Sequence, residues 1–237
     1  MTPSASAIAN ARREFLGEER EPVLIIDNAV SAPRELVDIA ANDTRFSDAD
    51  GADNFYPGRL APTPLAYVGD LARALDPLIR KGFSLRGVAP GRASCNFSLA
   101  TLPPERLALA QRIPHVDTVD PHQFAILHYL CDPKLGGTGF YRHRATGFEV
   151  LTPDRLEAYL STLDGELTKT PPAAAYIGGD TAQFVRTRLV DAVFNRVIVY
   201  RSRVLHSGHI PLPEALSADP RRGRLTANIF LTYRQGA

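Results

Sequence analysis

The sequence predicts a mainly β protein with flanking helices, and its length of 237 residues fits a single domain spanning 1–237. Two observations predict this class. The spacing of apolar residues changes from about 3.6 in the first part of the chain to about 2 in the second. In the second part, turn-forming residues separate several short apolar segments. Helices followed by strands favour a β-sandwich or open barrel whose helices pack against the outside of one sheet.

Residues 1–92 are predicted to form a mostly helical N-terminal flank. Residues 1–20 are small, polar and charged, so we expect a frayed or helical arm there. The apolar run Val23–Ile26 has the length of a strand. A Ser-x-Pro start predicts a helix over 32–42, and apolar residues at helical spacing predict a longer amphipathic helix over 65–81.

The segment between these two helices is rich in Asp, Gly and Pro, including Asp50 and Asp53, which predicts a long loop over 46–64. Loops of this length inside a compact domain are often functional. Together with the segments 141–183 and 207–223, this loop is expected to select the substrate. None of the three carries a motif with a known chemical partner.

Residues 93–237 are predicted to form the β core. At its start, Cys95, Phe97 and Leu99 alternate with polar residues at strand spacing. One helix near 153–163, begun by a Thr-Pro-Asp sequence, is inserted between the strands. The remaining strands are expected at 112–117, 123–130, 184–190, 196–204 and 224–233.

Composition excludes several classes of protein. Apolar residues make up 44% and charged residues 22% of the chain, the balance of a globular protein, which excludes global disorder. The 27 basic and 26 acidic side chains give a net charge of +1, so the chain lacks the field that attracts nucleic acid or anionic lipid. We therefore expect neither nucleic acid nor a membrane as a partner. The sequence leaves the oligomeric state open.

The apolar runs and the cysteines indicate the compartment in which the protein is expected. No apolar run reaches the length of a membrane span, and we find no apolar core of a signal peptide near the N-terminus. The two cysteines, Cys95 and Cys131, lack CxxC spacing and are interpreted as small core residues in a reducing compartment. We expect a cytoplasmic protein.

The six histidines all lie in the second half of the chain, which is the first indication of a site. His115 and Asp117 are two residues apart at the end of a predicted strand, so their side chains share one face. About 0.7 His-x-acid pairs arise by chance in this composition, so the pair alone decides nothing. His206 follows an apolar strand and offers a third ligand, with His209 as its rival.

Two histidines and one carboxylate leave three adjacent coordination positions open, which is the ligand set typical of non-haem Fe(II) oxygenases. Zinc is more often held by four protein ligands or by three histidines. The last predicted strand adds Arg224 and Thr226 on one face, opposite Leu225 and Ala227. A buried guanidinium needs an anionic partner and binds a carboxylate in two-point fashion, so this face favours a dicarboxylate ligand.

Other polar residues have structural interpretations. His122 and His128 follow the His-x-Asp pair and are interpreted as structural or supporting residues. Residues 142–144 are interpreted as a basic solvated turn, with a role in holding an anionic substrate as the alternative. The arginines of 184–203 are interpreted as a solvated strand face, because stacking aromatic residues are not interleaved with them. The sequence contains no Gly-rich phosphate loop and no nucleophile elbow.

Five elements taken in order resemble the Fe(II)/2-oxoglutarate-dependent dioxygenases, and specifically their prolyl 4-hydroxylase-like branch. These elements are the pair His115 and Asp117, the segment Ile126–Leu130, the segment Gly136–Phe140, His206, and the pair Arg224 and Thr226. The resemblance implies a double-stranded β-helix core, that is, a jelly roll of the cupin kind. It also implies an oxygenase that uses O2 to hydroxylate a small-molecule or peptidyl substrate.

The resemblance assigns roles residue by residue. Fe(II) would be held by His115, Asp117 and His206, which act in catalysis through the metal. The cosubstrate 2-oxoglutarate would be bound by Tyr129, Arg224 and Thr226. Two departures indicate a divergent family and leave the substrate open: Cys131 replaces the usual Asn, and Gly-Gly-Thr-Gly replaces Gly-Gly-Glu-Thr. The alternative function is a non-catalytic cupin-like module that binds a metal or a small acid.

Overall fold

A computed structural model of the chain describes residues 1–49 and 56–235. These described residues contain the α-helices α1 (Ala5–Ala9), α2 (Pro33–Asn42), α3 (Leu65–Gly82) and α4 (Pro153–Lys169). The strands are β1 (Arg12–Leu16), β2 (Glu21–Ile26), β3 (Ser47–Asp48), β4 (Gly58–Pro62), β5 (Val88–Ala100), β6 (Gln123–Tyr129), β7 (Gly137–His143), β8 (Phe184–Asp191), β9 (Arg196–Arg201), β10 (His206–His209) and β11 (Arg224–Gln235).

The strands form two antiparallel sheets. The larger sheet has eight strands in the order β1-β2-β9-β6-β11-β5-β4-β3, and the smaller sheet has three in the order β10-β7-β8. The long strand β11 lies at the centre of the larger sheet, between β6 and β5. Strand β10 pairs with β7, so the segment that carries His206 belongs to the smaller sheet.

Two apolar layers hold the sheets and helices together. On one face of the larger sheet, Leu71 and Leu75 of α3 belong to the same buried cluster as Phe97 and Leu225. On the opposite face, residues of the larger sheet such as Ile198 pack with Phe140 and Val190 of the smaller sheet. The helices therefore cover one face of the larger sheet, and the smaller sheet covers part of the other. The mainly β class with flanking helices is confirmed.

The predicted strand at 112–117 is wrong. A short 3-10 helix occupies Leu109–Arg112, and only an isolated antiparallel bridge between His115 and His206 follows it. Pro114 has no backbone N–H to donate to a ladder, which opposes a regular strand here. The bridge nevertheless fixes the backbone of His115 opposite β10.

The N-terminal flank is less helical than the sequence predicted. The arm at 1–20 contains strand β1, which pairs with β2, as well as the short helix α1. The predicted loop at 46–64 contains β3 and β4, while Asp50 and Asp53 lie outside the described residues.

The other element boundaries differ by a few residues. Strand β9 ends at Arg201 rather than at 204, and β5 begins at Val88 rather than at 93. Helix α4 continues beyond 163 to Lys169. Across the ranges 1–49 and 56–235, none of the helices combines the length and apolarity needed to cross a bilayer.

Candidate functional site

Three side chains that can bind a metal converge between the two sheets. His115 and His206 exchange two backbone hydrogen bonds of 2.9 Å, and their rings lie 4.6 Å apart between centroids. The backbone N–H of Asp117 donates to the carbonyl of Ser202 at 2.8 Å, which turns its carboxylate toward the two rings. One oxygen of Asp117 lies 3.9 Å from Nε2 of His115 and 3.8 Å from Nε2 of His206.

The three ligand atoms have the spacing that a single ion needs. All lie within 4.8 Å of one another. A point equidistant from three atoms that are 3.8 to 4.8 Å apart lies about 2.2 to 2.8 Å from each, close to the bond lengths of about 2.0–2.2 Å found for first-row metals. The three ligand atoms would need to move less than about 1 Å toward an ion to reach these bond lengths. These three residues would hold an ion from one side and would leave coordination positions for other ligands.

The hydrogen bond at Nδ1 of His206 fixes this ring for metal binding. Nδ1–H donates to the carbonyl of Val204 at 2.8 Å. This tautomer leaves the lone pair of Nε2 directed toward Asp117, as a ligand requires. A backbone carbonyl behind a ring nitrogen is the usual support of metal-binding histidines.

Burial sets the protonation states of the three groups. It lowers the pKa of His206 to about 4, and burial together with the neighbouring His206 lowers the pKa of His115 to about 4. Burial raises the pKa of Asp117 to about 6, against the opposing effect of His115. Near neutral pH both imidazoles are therefore uncharged and the carboxylate is ionised, which is the form that binds a cation.

A cavity of about 900 Å³ opens beside this cluster. It follows the face of the larger sheet that the helices do not cover, and its wall includes the cluster itself, Tyr200 of β9 and the alternate residues of β5 and β11. Its volume lies in the range of small-molecule sites. A ligand in the cavity can reach the open side of the candidate metal centre.

Arg224 lies in the same cavity without an acidic partner. Its side chain is buried at 4% exposure, and Nη2 donates to the carbonyl of Gly137 at 2.7 Å. Nε has no hydrogen-bond partner, and no carboxylate pairs with the guanidinium within 1–49 and 56–235. Since a buried guanidinium without a counter-charge is costly, this environment fits an anionic ligand.

Glycine at position 208 leaves space between Arg224 and the candidate metal centre. A Cβ placed on Gly208 would lie 3.8 Å from Nη2 of Arg224. His206 is two residues away on the same face of β10, which corresponds to about 6.6 Å. Gly208 lines the cavity and adds no side chain to obstruct it.

The other two predicted cosubstrate residues lie beside Arg224. Thr226 is fully buried, lines the cavity, and donates to the carbonyl of Ser98 at 3.4 Å. Tyr129 is also fully buried, and its hydroxyl pairs with that of Thr138 at 2.6 Å. Thr138 lines the cavity at this point, so Tyr129 lies behind it.

Two tyrosines of the cavity wall were missed by the sequence reasoning. Tyr56 lies next to Arg224 and Thr226, and burial raises the pKa of its hydroxyl to about 12. Tyr176 donates to the carbonyl of Leu102 at 2.7 Å and also lines the cavity. Tyr56 belongs to the loop 46–64 that the sequence marked as functional, which was the one signal available for it.

The remaining histidines do not join the cluster. His128 is buried and accepts from the hydroxyl of Tyr67 at 2.8 Å while donating to Oδ1 of Asn195 at 3.1 Å, which confirms its structural interpretation. His143 is fully buried and pairs with Glu166 at 2.7 Å, so the interpretation of 142–144 as a solvated turn is wrong for this residue. His209 lies three residues beyond His206 on β10, outside the cluster.

Comparison with solved structures finds general likenesses at low sequence identity. The chain is similar to AviO1 from Streptomyces viridochromogenes Tue57, with 15% identity, a TM-score of 0.45, and coverage of 100% of this chain and 97% of that one. It is similar to HygX from Streptomyces hygroscopicus, solved with nickel, 2-oxoglutarate and hygromycin B bound, with 13% identity, a TM-score of 0.46 and coverage of 89% and 82%. It is also similar to SnoN, a non-heme alpha ketoglutarate dependent epimerase from nogalamycin biosynthesis, with 10% identity, a TM-score of 0.46 and coverage of 90% and 80%.

The sequence was also compared with curated proteins and with protein families. The comparison with curated proteins gives no match. In the comparison with protein families, residues 8–231 match the profile of a family of unknown function, DUF6445. This match includes every element from β1 to most of β11, together with all the residues of the candidate site. The chain therefore belongs to the DUF6445 family.

Proposed function

We propose that this protein is a non-haem Fe(II)- and 2-oxoglutarate-dependent oxygenase that hydroxylates a C–H bond of its substrate. The observation that carries the proposal is the pairing, within one cavity, of a cluster of two histidines and one carboxylate with a buried arginine that lacks an acidic partner. The first group fits a ferrous ion and the second fits a carboxylate.

The order of the strands supports the proposal of a double-stranded β-helix core. From β5 onward the chain passes between the two sheets: β5 lies in the larger sheet, His115 bridges to the smaller one, and β6 returns to the larger. Strands β7 and β8 are in the smaller sheet, β9 is in the larger, β10 is in the smaller and β11 is in the larger. This alternation is what a jelly roll requires. We also assign the chain to the prolyl 4-hydroxylase-like branch, on the order of its motifs.

Each group has a defined task in this proposal. His115, Asp117 and His206 would hold Fe(II), and the bound iron would supply the activation of O2. Arg224 binds the far carboxylate of 2-oxoglutarate through its planar fork, and Thr226 donates a further hydrogen bond to it. Tyr56 lies on the same side of this pocket and orients the carboxylate against Arg224.

Anaerobic titration and product analysis test the proposal. We expect addition of Fe(II) and 2-oxoglutarate to the protein without O2 to produce a visible absorption band, because the cosubstrate would bind the metal directly. On admission of O2 we expect succinate to form. Asp117→Ala should abolish both signals, since it removes the only anionic ligand of the ion.

A control variant outside the cavity shows whether the loss of signal is specific to the candidate site. His122 lies near the site in sequence but outside the cavity wall, so His122→Ala should retain the band and succinate formation. Binding of metal and 2-oxoglutarate without succinate, across a panel of candidate substrates, would contradict an oxygenase and leave a binding module. Absence of the band in the parent protein would contradict the cosubstrate site.

A further inference from the structure

We propose that the substrate carries an anionic group, a carboxylate or a phosphate, and that Arg92 and Arg234 bind this group at the end of the cavity away from the candidate metal centre. Identification of the ligand as the substrate rests on the proposed function. The anion site itself does not, because it is formed by residues of this chain outside the metal and cosubstrate pockets.

The cavity wall between the metal centre and these arginines carries polar as well as apolar side chains, among them Ala125 and Phe230. Its hydrogen-bonding residues alternate along three neighbouring strands of the larger sheet. They are Ser94 and Asn96 of β5, Asn228 and Thr232 of β11, and Gln123 of β6. Oδ1 of Asn228 is buried and has no hydrogen-bond partner within the described ranges. These side chains can hydrogen-bond to a polar molecule that extends from the metal centre toward the two arginines.

The charges on the wall are asymmetric. Among the described residues that line the cavity, Asp117 is the only carboxylate, and it belongs to the metal centre. Arginine occurs three times, at Arg92, Arg224 and Arg234. Arg92 and Arg234 are both exposed at the end of the cavity, and neither forms an ion pair with any described residue. Two cations without a carboxylate beside them produce a positive potential at this end of the cavity, which favours an anionic ligand.

A β-bulge brings the two arginines to the same place. Arg92 pairs with Thr232, and the register then shifts so that Tyr233 pairs with Pro90, which leaves Gly91 as the extra residue. The absent side chain of Gly91 makes room for Arg234, since a Cβ at Gly91 would lie 3.0 Å from Cγ and 3.1 Å from Cδ of that arginine. The stem of Arg234 therefore lies across β5 beside Arg92.

Distance separates this pair from the cosubstrate pocket. Thr232 lies eight residues along β11 from Arg224, which corresponds to about 27 Å. A molecule of the size of 2-oxoglutarate cannot span that length. From β9, which carries Tyr200 beside His206, to β5 are three strand spacings, or about 14 Å. The anionic group is therefore expected at least about 14 Å from the C–H bond that reacts.

Titration of the metal-free protein with inorganic phosphate and with acetate tests the site. The signals of the side-chain Nε–H groups of Arg92 and Arg234 are followed by NMR, so that binding at Arg224 is read separately. We expect at least one of the two anions to shift both signals and to saturate. The double substitution Arg92→Ala and Arg234→Ala should weaken that anion's binding, read from neighbouring backbone amides, about tenfold.

Two further variants serve as controls. Arg86 is exposed and lies outside the cavity wall, so Arg86→Ala should bind both anions as the parent does. Replacing both site arginines by lysine retains the charge and should recover most of the lost affinity, which distinguishes anion binding from a merely structural effect.

Each outcome is decisive. Tighter binding of phosphate assigns a phosphorylated substrate, and tighter binding of acetate assigns a carboxylic acid. Equal affinities of the parent and the double alanine variant for both anions would overturn the proposal, as would the absence of any shift at the two arginines. Anion binding in a protein that forms no succinate would contradict the proposed function alone.

Discussion

Replacing Asp117 by Asn should make the metal-free protein more stable near pH 8 while removing its response to metal. The substitution keeps the shape of the side chain and removes its charge. Burial raises the pKa of Asp117 to about 6 from an ordinary 3.8, so ionised Asp117 opposes folding when no cation is bound. The function of the residue and the stability of the fold are therefore in conflict at this position.

The magnitude follows from the difference between the two pKa values. At 1.36 kcal/mol for each pH unit, a rise from 3.8 to about 6 costs at most about 3 kcal/mol when the carboxylate is ionised. The side chain is 17% exposed, so solvent screens part of this cost and we expect a gain of about 1–3 kcal/mol in the free energy of unfolding. For a chain of this size that is about 3–10 °C in Tm.

The direction of the pKa shift of Asp117 determines how this gain in stability depends on pH. Because the folded-state pKa is the higher one, the contribution of this carboxyl to stability is fully present below about pH 4 and is lost as the pH rises through about 6. The advantage of the Asn variant should therefore be largest at pH 8 and fall to about a third of that at pH 4.5.

Urea unfolding in EDTA, at pH 8 and at pH 4.5, measures this difference. Addition of Ni(II) at about 100 times its Kd should stabilise the parent at pH 8 by about 2.7 kcal/mol and leave the variant unchanged, which reverses or cancels their order. Asp120→Asn, at a carboxyl 43% exposed on the same segment, should change neither quantity. A variant that is less stable than the parent in EDTA at pH 8, or that Ni(II) stabilises equally, would refute the reasoning.

Three further changes test other parts of the molecule. Arg224→Lys keeps the charge but loses the planar fork, so we expect the KM for 2-oxoglutarate to rise about tenfold or more while the Kd for Ni(II), measured by calorimetry, stays within about twofold. His128→Ala leaves the hydroxyl of Tyr67 and the amide of Asn195 without their buried partner and should lower the free energy of unfolding by about 2–4 kcal/mol in urea, with unchanged Ni(II) affinity. Affinity for Ni(II) should fall as the pH drops below about 6, because a proton then competes for Asp117; an affinity independent of pH between 5 and 7 would contradict the raised pKa.

The parts of the site that depend on the alternation of side chains between the two faces of a strand could be predicted from the sequence. On β11, Leu225 and Ala227 pack toward the helices while Arg224 and Thr226 line the cavity, as the period of two predicts. His115 and Asp117 converge although their predicted strand does not form. A single bridge to His206 supplies the fixed backbone that a whole strand would have given.

The missed parts depend on contacts between distant segments. Tyr56 reaches Arg224 because β4 pairs with β5, and no local pattern in the loop 46–64 indicates that pairing. Arg92 and Arg234 come together because of a bulge at Gly91. A prediction that assumes strictly alternating side chains along a strand does not include such a bulge. The buried pair of His143 and Glu166 joins β7 to α4. The sequence did not indicate this pair, because the basic residues on either side of His143 are typical of an exposed turn.

The charges of the two halves of the site fit the same cosubstrate. A ferrous ion bound by two neutral histidines and one carboxylate would retain a charge of about +1, and the buried Arg224 adds another positive charge in the same cavity. A 2-oxo acid with one carboxylate could neutralise the metal centre but would leave the buried guanidinium without a counter-charge. 2-Oxoglutarate has two negative charges at the ends of a five-carbon chain, and Gly208, two residues from His206 on β10, leaves space beside Arg224 for one of them. If the proposed function holds, a 2-oxo acid with two carboxylates is favoured over one with a single carboxylate, because only the dianion provides a negative charge for each positive centre.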